Sequence, residues 1–299
     1  MEGIQKLGID NFKEIIASSH INFLFGAGVN GCAFPQLNNF RETISFMEEM
    51  GASKEGTFEE KLNSLDLINR ETAAKKFCEE FNSVEIDYNN NSLINLKKLL
   101  KICNDLVSLT ENRQKSMKKI NIFTLNYDNI VENILDDLGY FKTVATVDNL
   151  KTIPLFDVIP FNLEYNTEMS AFVVAKLHGT IKGNNLSPNQ IIYPGNKKYE
   201  TSLAADFFEV MFKMKSELMK FNSTLFIIGY SGFDNHINKV INDCIENGLT
   251  VYWYKYNNED IIPEIFKNRI VEIAQEETKI DTTERCFKMI SEVINYDYR

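Results

Sequence analysis

Cysteine is sparse and unpatterned in this 299-residue chain: Cys32, Cys78, Cys103, Cys244 and Cys286 are odd in number and form no C-x-x-C pair. Neither a disulfide framework nor a four-cysteine zinc site follows from that spacing, and no metal site is expected. Buried free thiols in a reducing cytosol are the expectation. No apolar run approaches the ~20 residues that span a bilayer. The opening MEGIQKLGIDNF lacks a basic segment followed by an apolar stretch, so no secretory leader is predicted. The chain is therefore expected in the cytoplasm, with no membrane partner. Basic residues are the minority, 32 Lys and Arg against 42 Asp and Glu, for a formal net charge of −10. That balance argues against a broad face for nucleic acid, and no direct nucleic-acid binding is expected. There is no internal repeat and no low-complexity segment.

What is present is enough for a sizeable core: 44% hydrophobic residues, with 22 Phe and 12 Tyr. Short apolar runs at Ile21–Phe25, Ile120–Leu125, Phe141–Val147, Ala171–Leu177, Thr224–Ile228, Thr250–Tyr254 and Arg269–Ile273 read as strands, with a short one at Gln190–Tyr193. Helical patterns separate them, at Asp10–Ser19, Ile130–Leu138, Tyr199–Phe221, Asp234–Asn247 and Thr283–Ile294. The main strands are continuous apolar runs rather than alternating ones, the pattern of a parallel sheet covered on both faces. The expectation is an α/β, Rossmann-like open and mostly parallel sheet with helices on both faces. A charged helical stretch over 37–113 reads as an insertion after the first strand, within a single domain spanning 1–299.

Four strand ends carry unusual residues: GAGVN at 26–30, TLNYDN at 124–129, KLHG at 176–179 and GYSGFD at 229–234. In an open α/β sheet, ligands bind outside the carboxyl ends of the strands, so these four converge on one crevice. A buried strand running into Gly26-Ala27-Gly28, with Gly31 at the third position of a G-x-G-x-x-G spacing, points to a dinucleotide phosphate site. The same turn also ends many strands for packing reasons alone. His178 is one of three histidines and the only one at a strand end. A neutral imidazole, with an ordinary pKa of about 6.5, takes a proton from a hydroxyl or water at neutral pH. The Asn126 amide both donates and accepts, which suits orienting water and substrate together.

This set resembles the sirtuin-like superfamily, in particular the bacterial anti-phage defence branch that consumes NAD. The resemblance runs from about Ile21 to Tyr254, interrupted by the helical insertion. It implies that Gly26, Ala27, Gly28, Val29 and Asn30, with Asn30 where Ser is usual, meet the NAD diphosphate. Phe34-Pro35 looks like the family's cofactor loop, shifted by one residue. Thr124-Leu125-Asn126-Tyr127-Asp128 matches T-x-N-x-D, which implies that Asn126 positions water or ribose and Asp128 supports the cofactor. His178-Gly179 matches the catalytic His-Gly, and Gly229, Tyr230 and Ser231, with Asp234, match the late cofactor turn. The four-cysteine zinc module of deacylating sirtuins is absent.

The function expected from this set is an NAD glycohydrolase (NADase), an enzyme that releases nicotinamide and ADP-ribose, or a cyclised form, in abortive-infection-type antiviral defence. NAD is then the substrate. The implied partners are a homo-oligomer or a separate sensor or activator subunit, for example a nucleic-acid-handling ATPase or an Argonaute-type protein. The alternatives are a sirtuin-type protein deacylase or ADP-ribosyltransferase, and a non-catalytic sensor of NAD or an ADP-ribose-derived nucleotide. Plainer readings also stand: His178 as a satisfied strand-end histidine, Asn126 and Asp128 as caps of the next helix, Asp234 as an N-cap, Ser231 as a turn residue, and His20 and His236 as structural.

Overall fold

The computed structural model describes residues 9–109, 117–145, 171–181, 191–192, 205–257, 262–274 and 281–297. Strand β1 (His20–Phe25) lies at the middle of a seven-stranded sheet with β2 (Lys119–Thr124), β3 (Lys142–Ala145), β4 (Ala171–Lys176), β5 (Ser223–Ile228), β6 (Thr250–Tyr254) and β7 (Val271–Ile273). The order is β3-β4-β2-β1-β5-β6-β7 and every pairing is parallel. The fold is thus Rossmann-like and open. Six consecutive buried residues in each of β1, β2 and β5 explain their central places: only a strand covered on both faces tolerates such a run.

Among the described residues nine α-helices cover the sheet: α1 (Ile9–Ser18), α2 (Arg41–Glu49), α3 (Phe58–Ser64), α4 (Leu67–Asn82), α5 (Asn91–Leu109), α6 (Ile130–Asp137), α7 (Ala205–Leu218), α8 (Asn235–Glu246) and α9 (Thr282–Asp297). Successive strand residues point to opposite faces. Ile21, Phe23 and Phe25 enter one core with α1, α6, α9 and the segment α2–α5. Leu24, Phe123, Leu225 and Ile227 enter a second core with α7 and α8. The Phe and Met stripe of α7 splits between sides: Phe207 and Met214 are buried, whereas Phe208 and Phe212 are exposed and stacked.

Helix ends follow local chemistry. Thr57 and Glu60 form a reciprocal capping box at α3. The Asp66 carboxylate accepts the Asn69 backbone N–H at 2.9 Å and so caps α4 at its start. Gly139, with φ +68°, ends α6.

The second to fifth helices lie between β1 and β2 in sequence. They pack on the sheet through an aromatic cluster in which Phe34 contacts Phe81 (centroids 4.8 Å), Phe40 contacts Phe77 (5.0 Å), and both Phe77 and Phe81 approach Tyr127 (6.4 Å each). Some expected features lie partly outside the described residues. Of Gln190–Tyr193, Ile191 makes an isolated antiparallel bridge to Gly179, and positions 190 and 193 are outside. Positions 199–204 of the expected long helix, and 146–147 of the expected third strand, are also outside. No described helix is long and apolar enough to cross a membrane.

Candidate functional site

The four unusual strand ends belong to β1, β2, β4 and β5, which are consecutive in the sheet. Register sets them level. Phe25 pairs with Thr124 and with Ile228, and Thr124 pairs with Lys176. Asn126 and His178 therefore each lie two residues beyond the last paired position of neighbouring strands. The chain passes from β1 to β2 on one side and reaches β5 on the other, so β1 is the topological switch point where α/β sheets place their ligands.

At the end of β1 the backbone turns into a 3-10 segment, Ala27–Ala33, interrupted at Gly31 (φ 54°, ψ −129°). The glycines have a packing reason, the plainer of the two readings of this turn. A Cβ at Gly26 would stand 2.4 Å from the Gly229 carbonyl oxygen, and one at Gly28 would stand 2.8 Å from the Gly229 Cα. Gly28 N–H donates to the Gly229 carbonyl (3.0 Å), and Gly26 N–H donates to that of Ile228 (3.1 Å). Val29 N–H closes the bend on Gly26 O at 3.1 Å. The bends of β1 and β5 thus interlock, and the amides of Gly26, Gly28 and Val29 are taken by backbone partners. Gly31 makes room for Ser92 at the start of α5. Ala27 and Ser231 are exposed on the two bends, while Val29 is fully buried.

Asn126 is buried and its Nδ2 donates to the Gly26 carbonyl at 3.2 Å. It does not cap α6, which removes the plainer account of that residue. The Asp128 carboxylate does serve the helix: one oxygen accepts the Ile130 N–H (3.0 Å) and the other accepts Asn30 Nδ2 (2.8 Å). Asp128 thereby ties the β2 bend to the β1 bend. The other end of the Asn30 amide, Oδ1, is buried without a partner, as is the hydroxyl of Thr180, two residues past His178. Burying a polar atom without a partner costs on the order of 1–3 kcal/mol, and the chemistry of these two suits the hydroxyls of a ribose. The residues present therefore fit a nucleotide.

Phe34 packs into the aromatic cluster behind this crevice rather than at its mouth. Tyr230 is buried; its hydroxyl donates to Asn238 Oδ1 (2.9 Å) and accepts the Asp234 N–H (3.1 Å). Asp234 occupies the N-cap position of α8, and its side chain makes no capping hydrogen bond there.

Several residues here escaped the motif reading. Lys176, 1% exposed, reaches the Asp128 carbonyl and lies 3.2 Å from Glu132 Oε1. Tyr127 spans from the aromatic cluster to the His178 ring (centroids 6.4 Å) and donates its hydroxyl to the Ile192 carbonyl. His236 is the main omission: its Nε2 is 3.2 Å from Nε2 of His178. Its place within a predicted helix reads as structural in the sequence alone. The signal that finds it is position, since the first turn of a helix starting just past a strand end borders the crevice. Among the described residues no group of three or more His, Cys, Asp or Glu side chains is placed to hold a metal ion.

A parallel sheet with a glycine bend at its switch point, flanked by an amide, an imidazole and buried polar atoms without partners, places the chain in the Rossmann-like, nucleotide-binding class of proteins. The family model for the SIR2-like domain matches residues 120–276, more than half of the chain, and the chain belongs to that family. A solved structure described as "Structural Basis for the Mechanism and Regulation of Sir2 Enzymes" is similar to it at a TM-score of 0.48 and 13% identity, over 97% of this chain and 99% of that one. Comparison with curated proteins gives no match.

Proposed function

We propose that this chain is an NAD glycohydrolase (NADase), cleaving the nicotinamide–ribose bond to give nicotinamide and ADP-ribose or its cyclised form. The observation that carries the reading is that Asn126 and His178 stand side by side at the ends of adjacent strands, with the Asn126 amide bonded to the glycine bend. Ala27, exposed beside Gly26 and Gly28, and Ser231 offer surface to the diphosphate. Asn30, held by Asp128, and Thr180 offer acceptors for ribose hydroxyls. Tyr230, Gly229 and Asp234 shape the opposite wall, and Phe34 backs the β1 bend.

The departing group is a cationic pyridinium, so it leaves without a general acid. What remains is to orient the attacking hydroxyl and remove its proton. Asn126 suits the first task and His178 the second, since a positioned base contributes on the order of 10²–10⁴-fold. Incubating the purified chain with NAD and following nicotinamide release tests the reading. His178→Ala and Asn126→Ala are each expected to cut turnover by ~10²–10⁴-fold, with NAD still bound. Binding of NAD without turnover in an activated assembly would assign the chain to nucleotide sensing. Release dependent on an acylated peptide would assign it to deacylation.

The resemblance to the defence branch supports a role in abortive infection, with activation by assembly or by a separate sensor subunit such as a nucleic-acid-handling ATPase or an Argonaute-type protein. The exposed, stacked Phe208 and Phe212 on α7 support self-association. Light scattering across a concentration series tests it, and a monomer throughout would count against a homo-oligomer.

A further inference from the structure

His178 and His236 arrive from distant parts of the chain, the end of β4 and the first turn of α8, and meet with their Nε2 atoms 3.2 Å apart. Their ring centroids are 5.4 Å apart with planes inclined by 30°. Both residues are buried, 4% and 6% exposed. Two imidazoles meet in this way when one Nε2 carries a hydrogen and the other a lone pair. Two neutral rings hold two N–H groups and two lone pairs, and the contact uses one of each. The remaining lone pair lies on Nδ1 of whichever ring donates. Charging both rings would set two hydrogens face to face, so the contact requires at least one neutral ring.

We propose that His236 is the positioning residue of His178. Its Nε2 accepts the Nε2–H of His178, fixes the tautomer in which His178 keeps its own lone pair, and steadies the ring when that lone pair is protonated. This rests on the reading of His178 as the base. In that step the attacking hydroxyl oxygen bonds to C1′, its proton passes to His178, and the C1′–nitrogen electron pair leaves on nicotinamide. The Nε2–H···Nε2 contact then has a charged donor, and such bonds are roughly twice as strong as neutral ones. A carboxylate behind a histidine base selects a tautomer in the same manner. Here an imidazole takes that place.

The test uses the full chain labelled with 15N-histidine, and reads the ring tautomers by long-range 15N–1H correlation without NAD. His178 is expected as the Nε2–H tautomer. In His236→Ala that preference is lost, and kcat for nicotinamide release falls on the order of 10–100-fold, the scale for losing an orienting partner of an imidazole. KM for NAD changes little. His236→Gln, whose amide oxygen also accepts, restores both the tautomer and most of kcat, which a merely structural role would not require. Three results would overturn the proposal: His178 as the Nδ1–H tautomer in the wild type, a folded His236→Ala with unchanged tautomer and kcat, or activity lost to 1,10-phenanthroline with release of a metal ion bridging the two nitrogens. A wild type that shows the tautomer, its dependence on His236 and its rescue by Gln, yet releases no nicotinamide, would overturn the NAD-cleaving reading and uphold the pairing.

Discussion

Gly229 carries two constraints at once. Its φ of +67° lies where L side chains are strained, and a Cβ there would sit 2.3 Å from the Val29 amide nitrogen. Gly229→Ala is therefore expected to destabilise by about 2–4 kcal/mol, combining left-handed strain with overpacking; a denaturant melt checks it. Asn30→Ser should remove the reach to Asp128, leaving that carboxylate one partner short. The expected loss is about 1–3 kcal/mol, readable as a lower melting temperature together with weaker NAD binding. Burial pushes the Cys78 and Cys286 thiols up to about 12 and the Cys244 thiol up to about 11. Cys32 is the exposed cysteine, so a thiol reagent at pH 8 should label it rapidly and those three only on unfolding. At this scale the places of Gly26, Asn126 and His178 at neighbouring strand ends were legible, because each follows directly on a continuous apolar run. His236 was not, because its partner is 58 residues away and periodicity carries no information about what a first helical turn faces.

The sheet is polar at the opposite end of its strands. Asn22, on β1, donates to Ser223 Oγ (2.9 Å) and accepts from Asn121 of β2 (2.7 Å), which also donates to Glu217 of α7 (3.2 Å). Lys119 lies 2.9 Å from Glu217, and Lys220 adds a second cation. Burial pushes the Glu217 carboxyl up, but the two ammonium groups outweigh it and hold it below the ordinary carboxylate value. A carboxyl lowered by folding stabilises the protein above its unfolded pKa of about 4.3. That contribution is lost as pH falls through the lower folded value. Melting temperature should therefore drop on acidification below about pH 4.3, and part of that slope should vanish in Glu217→Gln. At pH 7 the same variant strands a buried lysine, at an expected cost of about 3–5 kcal/mol. The elements themselves were readable from continuous apolar runs, and strand ends matched within a residue or two where described. The interlocking of the β1 and β5 bends was not, since it depends on two backbones some 200 positions apart meeting at 3.0 Å.

For the molecule as a whole, a nucleotide bridging the bends of β1 and β5 would add a tie at the carboxyl ends of strands already joined by their pairing, the Asn22–Ser223 bond and the Phe23–Phe226 stack. NAD at 100 times its Kd should stabilise the fold by about 2.7 kcal/mol, seen as a higher melting temperature that the sensor and hydrolase readings share. Only nicotinamide release separates them. The parallel, doubly covered character of the sheet followed from its continuous apolar runs, whereas the strand order and the central position of β1 came from the structure. Which partner or assembly governs the chain did not, because those contacts are made by surfaces whose pattern resembles any solvated face.

The placement of β1 between β2 and β5 also governs the birth of the protein. A ribosome delivers His20–Phe25 early, yet the two strands that flank it are Lys119–Thr124 and Ser223–Ile228. Pairings this remote in sequence are slow to form. A nascent chain stalled or clipped before Ser223 keeps one edge of β1 open and its first bend unlatched. Truncated translation products therefore lack the latched bend, and the crevice beside β1 is complete only in molecules read through Gly229.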